Sequence, residues 1–126
     1  MSEEMKVGGY KDLIVWQKAI TLVKRVYQVT SAFPSDERFG LVSQMRRAAV
    51  SIPSNIAEGQ ARHTTGEFIQ GISHAEGSLA ELDTQLTIAV ELAFCPQTMT
   101  PELFALLGEV RKMLNALRRT LQARGK

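Results

Sequence analysis

The chain has 126 residues, of which 44% are hydrophobic and 22% are charged, and its 15 basic and 13 acidic residues leave a formal net charge of +2. This composition indicates one globular domain over residues 1–126 and excludes a disordered chain, a low-complexity linker and a histone-like polycation. The single cysteine, Cys95, excludes an internal disulfide framework. No apolar run approaches the roughly 18 residues of a membrane span, and the acidic start of the chain does not resemble a signal peptide, so we expect a cytoplasmic protein with no membrane association.

A first helix is predicted over about residues 12–32. Apolar residues from Leu13 to Tyr27 recur at alternating steps of three and four, which places them on one helical face. Asp12 is the expected N-cap, because its carboxylate can accept hydrogen bonds from the free N–H groups of the first turn. The Phe-Pro-Ser segment at residues 33–35 ends the helix.

A second helix is predicted over about residues 36–59, where a shorter apolar stripe runs from Leu41 to Ile56. Ser35 and the two acids after it are suited to its first turn. Pro53 lies inside the pattern and offers no N–H group to the carbonyl of Ala49. We therefore expect the second helix to be kinked or split at Pro53.

Third and fourth helices are predicted over about residues 65–94 and 101–123, from apolar stripes that begin at Phe68 and Leu103. A Thr-x-x-Glu capping box starts at Thr64, and Pro96 closes the third helix. Because short connections favour antiparallel neighbours, the pattern predicts an all-α fold, an antiparallel up-down-up-down four-helix bundle.

The charges are distributed unevenly along the chain. Residues 111–126 carry six basic residues and no acid, whereas residues 64–95 carry five acids and no lysine or arginine. Two interpretations are open: complementary packing between the third and fourth helices, or a basic surface for RNA phosphates. The candidate nucleic-acid contacts are Lys24, Arg25, Arg111, Lys112, Arg118 and Arg119.

Polar stripes flank the apolar faces of the second and third helices. We expect them to meet as a hydrogen-bonded layer or a subunit interface, in which Arg46 or Arg47 pairs with Glu58 or Glu81. Gly71 and Ser78 would permit a close approach of the two helices. The residues of this predicted polar layer are Gln44, Arg46, Arg47, Ser51, Asn55, Glu58, His74, Ser78, Glu81 and Gln85.

Enzyme chemistry is weakly supported, and we predict no catalytic residues, no metal site and no cofactor. His74 and Ser78 are one helical turn apart, but nothing in the sequence indicates an oriented base or an oxyanion site. The Glu-x-x-His pair of di-iron bundles and a glycine-rich phosphate loop do not occur. An enzyme built around Arg47, Glu58, His74 and Glu81 would need a closed pocket.

Three segments carry a family resemblance: residues 10–19, the Arg-Arg-Ala…Asn-Ile-Ala-Glu-Gly block within 44–59, and residues 75–86. They resemble the bacterial four-helix-bundle proteins encoded in intervening sequences of 23S ribosomal RNA genes. The resemblance covers about residues 10–95, and the chain from Met99 matches in helical character only. Motif residues of the family match Arg46, Arg47, Ser51, Pro53, Asn55, Glu58, Gly59, Gly77, Ser78, Glu81 and Gln85, without settled roles.

The resemblance implies an antiparallel bundle whose subunits form a ring, a homopentamer, with no established enzymatic activity. The related accessory variability determinant proteins of diversity-generating retroelements use a similar bundle to engage reverse transcriptase and RNA. Outward-facing Phe39, Val42 and Ile69 would leave apolar patches for neighbouring subunits. An acidic third helix and basic first and fourth helices would suit the head-to-tail contacts of a ring.

Two functions of different class follow from these observations. The first is a non-enzymatic homo-oligomeric scaffold that binds RNA or a ribonucleoprotein partner through its basic surfaces. The alternative is a protein–protein assembly module with no role in nucleic-acid binding. Salt-dependent RNA binding separates the two.

Overall fold

The structure, a computed structural model, describes residues 9–124 and consists over that range of helices and their connections. The four long helices are α1 (Ile14–Thr30), α2 (Leu41–Ala61), α3 (Thr65–Glu91) and α4 (Thr100–Arg124). Short 3-10 turns cover Gly9–Asp12 and Ser35–Glu37. The acidic start of the chain and Lys126, which entered the sequence arguments, lie outside the described residues.

The helices pack in the cyclic order in which they follow one another. Within the described residues α1 packs on α2 and α4, α3 packs on α2 and α4, and no Cα atoms of a diagonal pair lie within 8 Å of each other. Short connections at residues 31–40, 62–64 and 92–99 reverse the chain direction each time. The predicted all-α, up-down-up-down four-helix bundle is confirmed.

The core is built from the apolar stripes that the sequence showed. Fully burying a large aliphatic side chain contributes about 1.5–3 kcal/mol relative to leaving it in water, so these side chains dominate the stability of the bundle. The largest that are fully buried are Leu22, Val26, Met45, Ile52, Ile56, Ile72, Leu79, Leu82, Leu86, Leu103, Leu107 and Leu114.

The beginnings of α1 and α2 differ from the sequence prediction. Asp12 belongs to the first 3-10 turn, so Leu13, which has an extended backbone and no capping side chain, precedes α1 instead. Residues from Ser35 form the second 3-10 turn, and α2 begins only at Leu41. The Glu37 carboxylate accepts the N–H of Leu41 at 3.2 Å, so an acid of that turn caps the helix from outside.

Helix α2 continues through Pro53 and is not split. Three polar side chains near the proline turn back to the helix backbone. The Asn55 amide donates to the Ser51 carbonyl at 2.8 Å, the Ser54 hydroxyl donates to the Val50 carbonyl at 2.9 Å, and the Ser51 hydroxyl lies 3.1 Å from the Ala48 carbonyl. Proline still leaves the carbonyl of Ala49 without its usual helical donor, which is the physical reason to expect a bend at this point.

The ends of α3 are defined by specific backbone geometry. The Thr64 hydroxyl accepts the N–H of Glu67 at 3.1 Å, which confirms the predicted cap. At the other end Ala93 has a positive φ of 60°. The N–H groups of Ala93 and Phe94 donate back to the carbonyls of Val90 and Ala89, both at 2.9 Å. This is a Schellman motif, and it ends α3 earlier than the predicted residue 94.

The closest approach of α2 and α3 lies beside their short connection. A Cβ atom on Gly71 would lie 2.6 Å from the Asn55 carbonyl oxygen and 2.9 Å from the Cα of Gly59. A Cβ atom on Gly59 would lie 3.0 Å from the Cα of Gly71. The two backbones therefore touch, as the predicted close approach at Gly71 requires.

Candidate functional site

Ion pairs join the acidic and basic helices within one chain. Arg111 binds Asp83 on α3 at 3.2 Å, and Arg118 binds Glu76 on the same helix. The Arg118–Glu76 pair is the least exposed, with 28% and 21% of the two side chains accessible. Part of the charge asymmetry seen in the sequence, two of the five acids of residues 64–95, is therefore satisfied by α3 packing against α4.

Half of the candidate RNA contacts take part in such pairs. Arg25 binds Glu102 at 3.1 Å across the α1–α4 interface, as Arg111 and Arg118 do across the α3–α4 interface. The other three candidates are exposed and have no carboxylate partner among residues 9–124: Lys24, Lys112 and Arg119.

The two polar stripes meet at Ser51 and Ser78. The Ser51 hydroxyl hydrogen-bonds to the Ser78 hydroxyl across the α2–α3 interface. Gln85 lies two turns further along α3 with only 6% of its surface exposed, and its Oε1 has no donor in the described part of the chain. Five other members of the predicted layer are exposed to solvent: Gln44, Arg47, Glu58, His74 and Glu81.

The predicted pairing of Arg46 or Arg47 with Glu58 or Glu81 is wrong within the described residues. Arg46 lies on the α1 side of α2, where its Nε donates to the Thr30 hydroxyl at 2.9 Å. Its guanidinium also stacks on the Tyr27 ring, 4.4 Å from the ring centre. Glu58 instead binds Arg62 at 3.4 Å.

Arg47 and Glu81 border the same small recess between α2 and α3, with a volume of about 270 Å³. They form no ion pair there, and neither has another charged partner among residues 9–124. Both charges therefore remain available at the surface.

A polar cleft of about 300 Å³ lies between α2 and α3 beside their connection. Its two carboxylates, Glu58 and Glu67, lie 3.4 and 3.7 Å from Arg62. His74 also borders the cleft, but the nearby Ser78 hydroxyl is engaged with Ser51. Among residues 9–124 no cluster of three or more His, Cys, Asp or Glu side chains is placed to hold a metal ion.

Cys95 lies half-buried in the connection between α3 and α4. Burial raises the pKa of its thiol, and a hydrogen bond with Thr100 partly opposes that shift. Because the thiolate is the reactive form, this environment disfavours a nucleophilic role.

An open groove of about 660 Å³ lies on the outer side of α2. Three arginines and exposed aromatic and aliphatic side chains line it, and none of the lining residues is acidic. Phe39 is 88% exposed, so most of this large aromatic side chain is in contact with water. We call this surface the arginine groove; its lining is Tyr27, Arg38, Phe39, Val42, Ser43, Arg46, Arg47, Val50, Ser51 and Ser54.

The sequence predicts Arg46 and Arg47 in a polar layer and Phe39 and Val42 on an outward face, but no pattern joins these residues. Phe39 is exposed as predicted, whereas Val42 is only 8% exposed and belongs to the core. The groove combines residues of α1, the 3-10 turn region and α2, so no single helical wheel contains it. The sequence does contain one signal for this groove. Arginines occur close to apolar residues twice, at Arg38 before Phe39 and at Arg46 and Arg47 before Val50.

A second unpartnered surface lies on the outside of α3. It carries two carboxylates without a cation partner among the described residues, together with two exposed aliphatic side chains. Ile88 is 44% exposed and Leu92 is 55% exposed. We call this surface the acidic stripe; its residues, spaced at helical intervals, are Glu81, Thr84, Ile88, Glu91 and Leu92.

The fold has a counterpart of known structure. A protein of unknown function from the S23 ribosomal protein family of Bacteroides thetaiotaomicron superposes with a TM-score of 0.77 over 84% of this chain and 96% of its own. The two sequences are 18% identical, so the likeness shows the fold alone. No curated protein matches the chain.

Two further findings bear on the kind of protein. Within residues 9–124, every helix is too short or too polar to cross a bilayer. The model of the 23S rRNA-intervening sequence protein family matches residues 11–116, which is most of the chain and includes the whole of α1, α2 and α3. The match agrees with the resemblance seen in the sequence, and the chain belongs to the 23S rRNA-intervening sequence protein family.

Proposed function

We propose that the protein is a non-enzymatic cytoplasmic scaffold that works as a homo-oligomer. The observation that carries this proposal is the coexistence, in one small chain, of two exposed apolar surfaces flanked by unpaired charges: the arginine groove and the acidic stripe. Exposed apolar patches rimmed by polar residues mark interaction surfaces in soluble proteins. A bundle that acted only as a monomer without partners would not need such exposed apolar surfaces.

The polar cleft supports a non-enzymatic role. Its carboxylates face Arg62, so neither is a free base held in a dry site. Acyl or phosphoryl transfer needs an oriented nucleophile beside a base, and Ser78, one turn from His74, is bonded to Ser51 instead. The cleft is also open, whereas a reaction centre usually excludes water.

The assembly we propose is the ring of five copies that the family resemblance implies. Closed rings form when one surface of a subunit binds a different surface of the next. Light scattering coupled to size-exclusion chromatography at micromolar concentration tests the proposal. A mass near five chains is expected, and a monomeric mass would overturn it.

A second candidate function is RNA binding by the assembled ring. Lys112 and Arg119 lie seven residues apart on the exposed side of α4, and neither has a carboxylate partner among the described residues. Unpaired cations are free to replace the counterions of phosphates, which gives RNA binding its dependence on salt. If five copies present such a pair together, avidity exceeds single-site affinity by ~10²–10⁴.

Fluorescence anisotropy of a labelled structured RNA, titrated with the protein at about 50 and about 200 mM salt, tests this second function. Duplex DNA serves as the control ligand. Binding that prefers RNA and weakens steeply with salt supports a scaffold for RNA or a ribonucleoprotein. An oligomer that binds no RNA at tens of micromolar leaves the protein–protein assembly module.

A further inference from the structure

The arginine groove and the acidic stripe are complementary in charge. Arg38 and Arg47 have no carboxylate partner among residues 9–124, and the described residues offer no cation to Glu81 or Glu91. We propose that the arginine groove of one copy binds the acidic stripe of a second copy. The inference rests on the proposed homo-oligomer and names the surfaces through which its subunits bind.

The order of groups along the two surfaces also matches. On the stripe, Ile88 lies between Glu81 and Glu91, which at a rise of 1.5 Å per residue are about 15 Å apart along α3. In the groove, the exposed Phe39 lies between Arg38 and Arg47 along the chain, whereas Val42 is buried in the core. Along the chain, each surface therefore presents an exposed apolar side chain between two charges, which are positive in the groove and negative on the stripe.

The apolar centres give the contact a reason to form. Phe39 and Ile88 are both large and exposed in the single chain, and docking would remove both from water. The charges at the two ends would then fix the register, since oppositely charged groups at the rim orient a contact and select against like-charged partners.

The placement of the two surfaces allows a continuous assembly. The groove faces outward from α2 and the stripe faces outward from α3, which are neighbouring helices of the bundle. Each copy thus carries one of each surface, and the two surfaces adjoin at the recess that Arg47 and Glu81 both border. Because the two surfaces differ, contacts of this kind pass from copy to copy and close when the rotation allows.

Two charge-reversed variants test the contact. The groove variant carries Arg38→Glu and Arg47→Glu, and the stripe variant carries Glu81→Arg and Glu91→Arg. Native mass spectrometry with one chain mass-tagged reports the assembly of each variant alone and of an equimolar mixture. We expect each variant alone to dissociate at concentrations at least tenfold above wild type. In the mixture only unlike chains satisfy the contact, and unlike chains cannot alternate around a ring of five, so we expect heterodimers and longer alternating oligomers that contain both chains.

Mixing matters because recovery in a mixture requires contact between different chains, whereas recovery in a doubly reversed chain could arise within it. The matched control for the groove variant is Lys24→Glu with Lys112→Glu, which makes the same change in net charge at residues that do not line the groove and should leave assembly intact. Phe39→Ala provides a milder variant without charge reversal, and it should also weaken assembly. Circular dichroism verifies that each variant is folded.

The outcomes separate the two proposals. A monomeric wild-type protein would overturn the homo-oligomer and the contact together. An oligomeric wild type whose assembly survives reversal of the groove would overturn the contact and leave the scaffold standing. Dissociation of both variants without recovery on mixing would show that groove and stripe do not bind each other, which also overturns the contact.

Discussion

Gly59 and Gly71 contact each other backbone to backbone, and this contact sets how closely α2 and α3 pack. The short distances from a hypothetical Cβ at either position involve backbone atoms of the opposite helix, which cannot rotate away as a side-chain tip would. The same helix pair carries the Ser51–Ser78 bond and borders the polar cleft. The spacing of the pair therefore positions both features.

Replacing Gly71 by alanine should destabilise the protein by about 2–3 kcal/mol, because the new methyl group forces the two helices apart. The matched control is Gly77→Ala on the same helix, where a Cβ atom meets nothing within 4 Å. That change should stabilise by about 0.5–1 kcal/mol, since glycine is a poor helix former. Urea denaturation followed by circular dichroism measures both, and equal effects would argue against a packing role for Gly71.

Replacing Ala93 by glycine should stabilise the protein by about 0.5–1 kcal/mol, because the left-handed conformation at this position strains any residue with a Cβ. Thermal unfolding should show a higher Tm. Ala80, exposed in the middle of α3, offers the opposite case, and Ala80→Gly should cost about 1 kcal/mol. A lower Tm for the Ala93 variant would contradict the Schellman geometry.

If the protein binds RNA, replacing Lys112 and Arg119 together by alanine should weaken binding and flatten its salt dependence by roughly one to two units of logarithmic slope. Arg118→Ala is the informative comparison, because Arg118 is held by Glu76 and has less charge to offer a phosphate. It should lower stability more than RNA affinity. The reverse ranking in an anisotropy titration would move the RNA surface to the paired arginines.

Alkylation of Cys95 by iodoacetamide should be slower in the folded protein than in urea at the same pH. Burial raises the pKa of this thiol, so less of it is thiolate at any given pH, and the rate should rise at higher pH than in the unfolded chain. A pH–rate series from about pH 7 to about pH 10 by mass spectrometry measures the shift, around an ordinary cysteine pKa of about 8.5. A folded-state profile at lower pH than the unfolded one would indicate an activating cation instead.

The long-range order of the bundle could be predicted because it follows from periodicity alone. Leu79, Leu82 and Leu86 lie on the core side of α3 as their spacing requires. The ion pairs between α3 and α4 correspond to complementary packing, one of the two interpretations that the charge pattern left open. The first residues of α1 and α2 were harder to predict from the sequence. At Asp12 and Ser35 the chain forms 3-10 turns whose residues look like helix caps in the sequence.

The site residues were harder to assign than the core, because a helical wheel gives the direction of a side chain but not what lies there. Arg46 looked like a member of a layer with α3, whereas in the bundle it meets Tyr27 and Thr30 of α1. The arginine groove depends on three segments meeting in space. Residues that the chain itself places apart, such as Tyr27 and Val50, cannot be joined by a pattern within one helix.

Only residues 62–64 separate α2 from α3, so the most extensively packed helix pair in the bundle is also joined by its shortest connection. Closing a short loop costs little chain entropy, and chains rich in local contacts fold quickly. The α2–α3 hairpin is therefore the expected folding nucleus, onto which α1 and α4 assemble later. Substitutions inside this pair should slow folding, whereas substitutions between α1 and α4 should mainly speed unfolding.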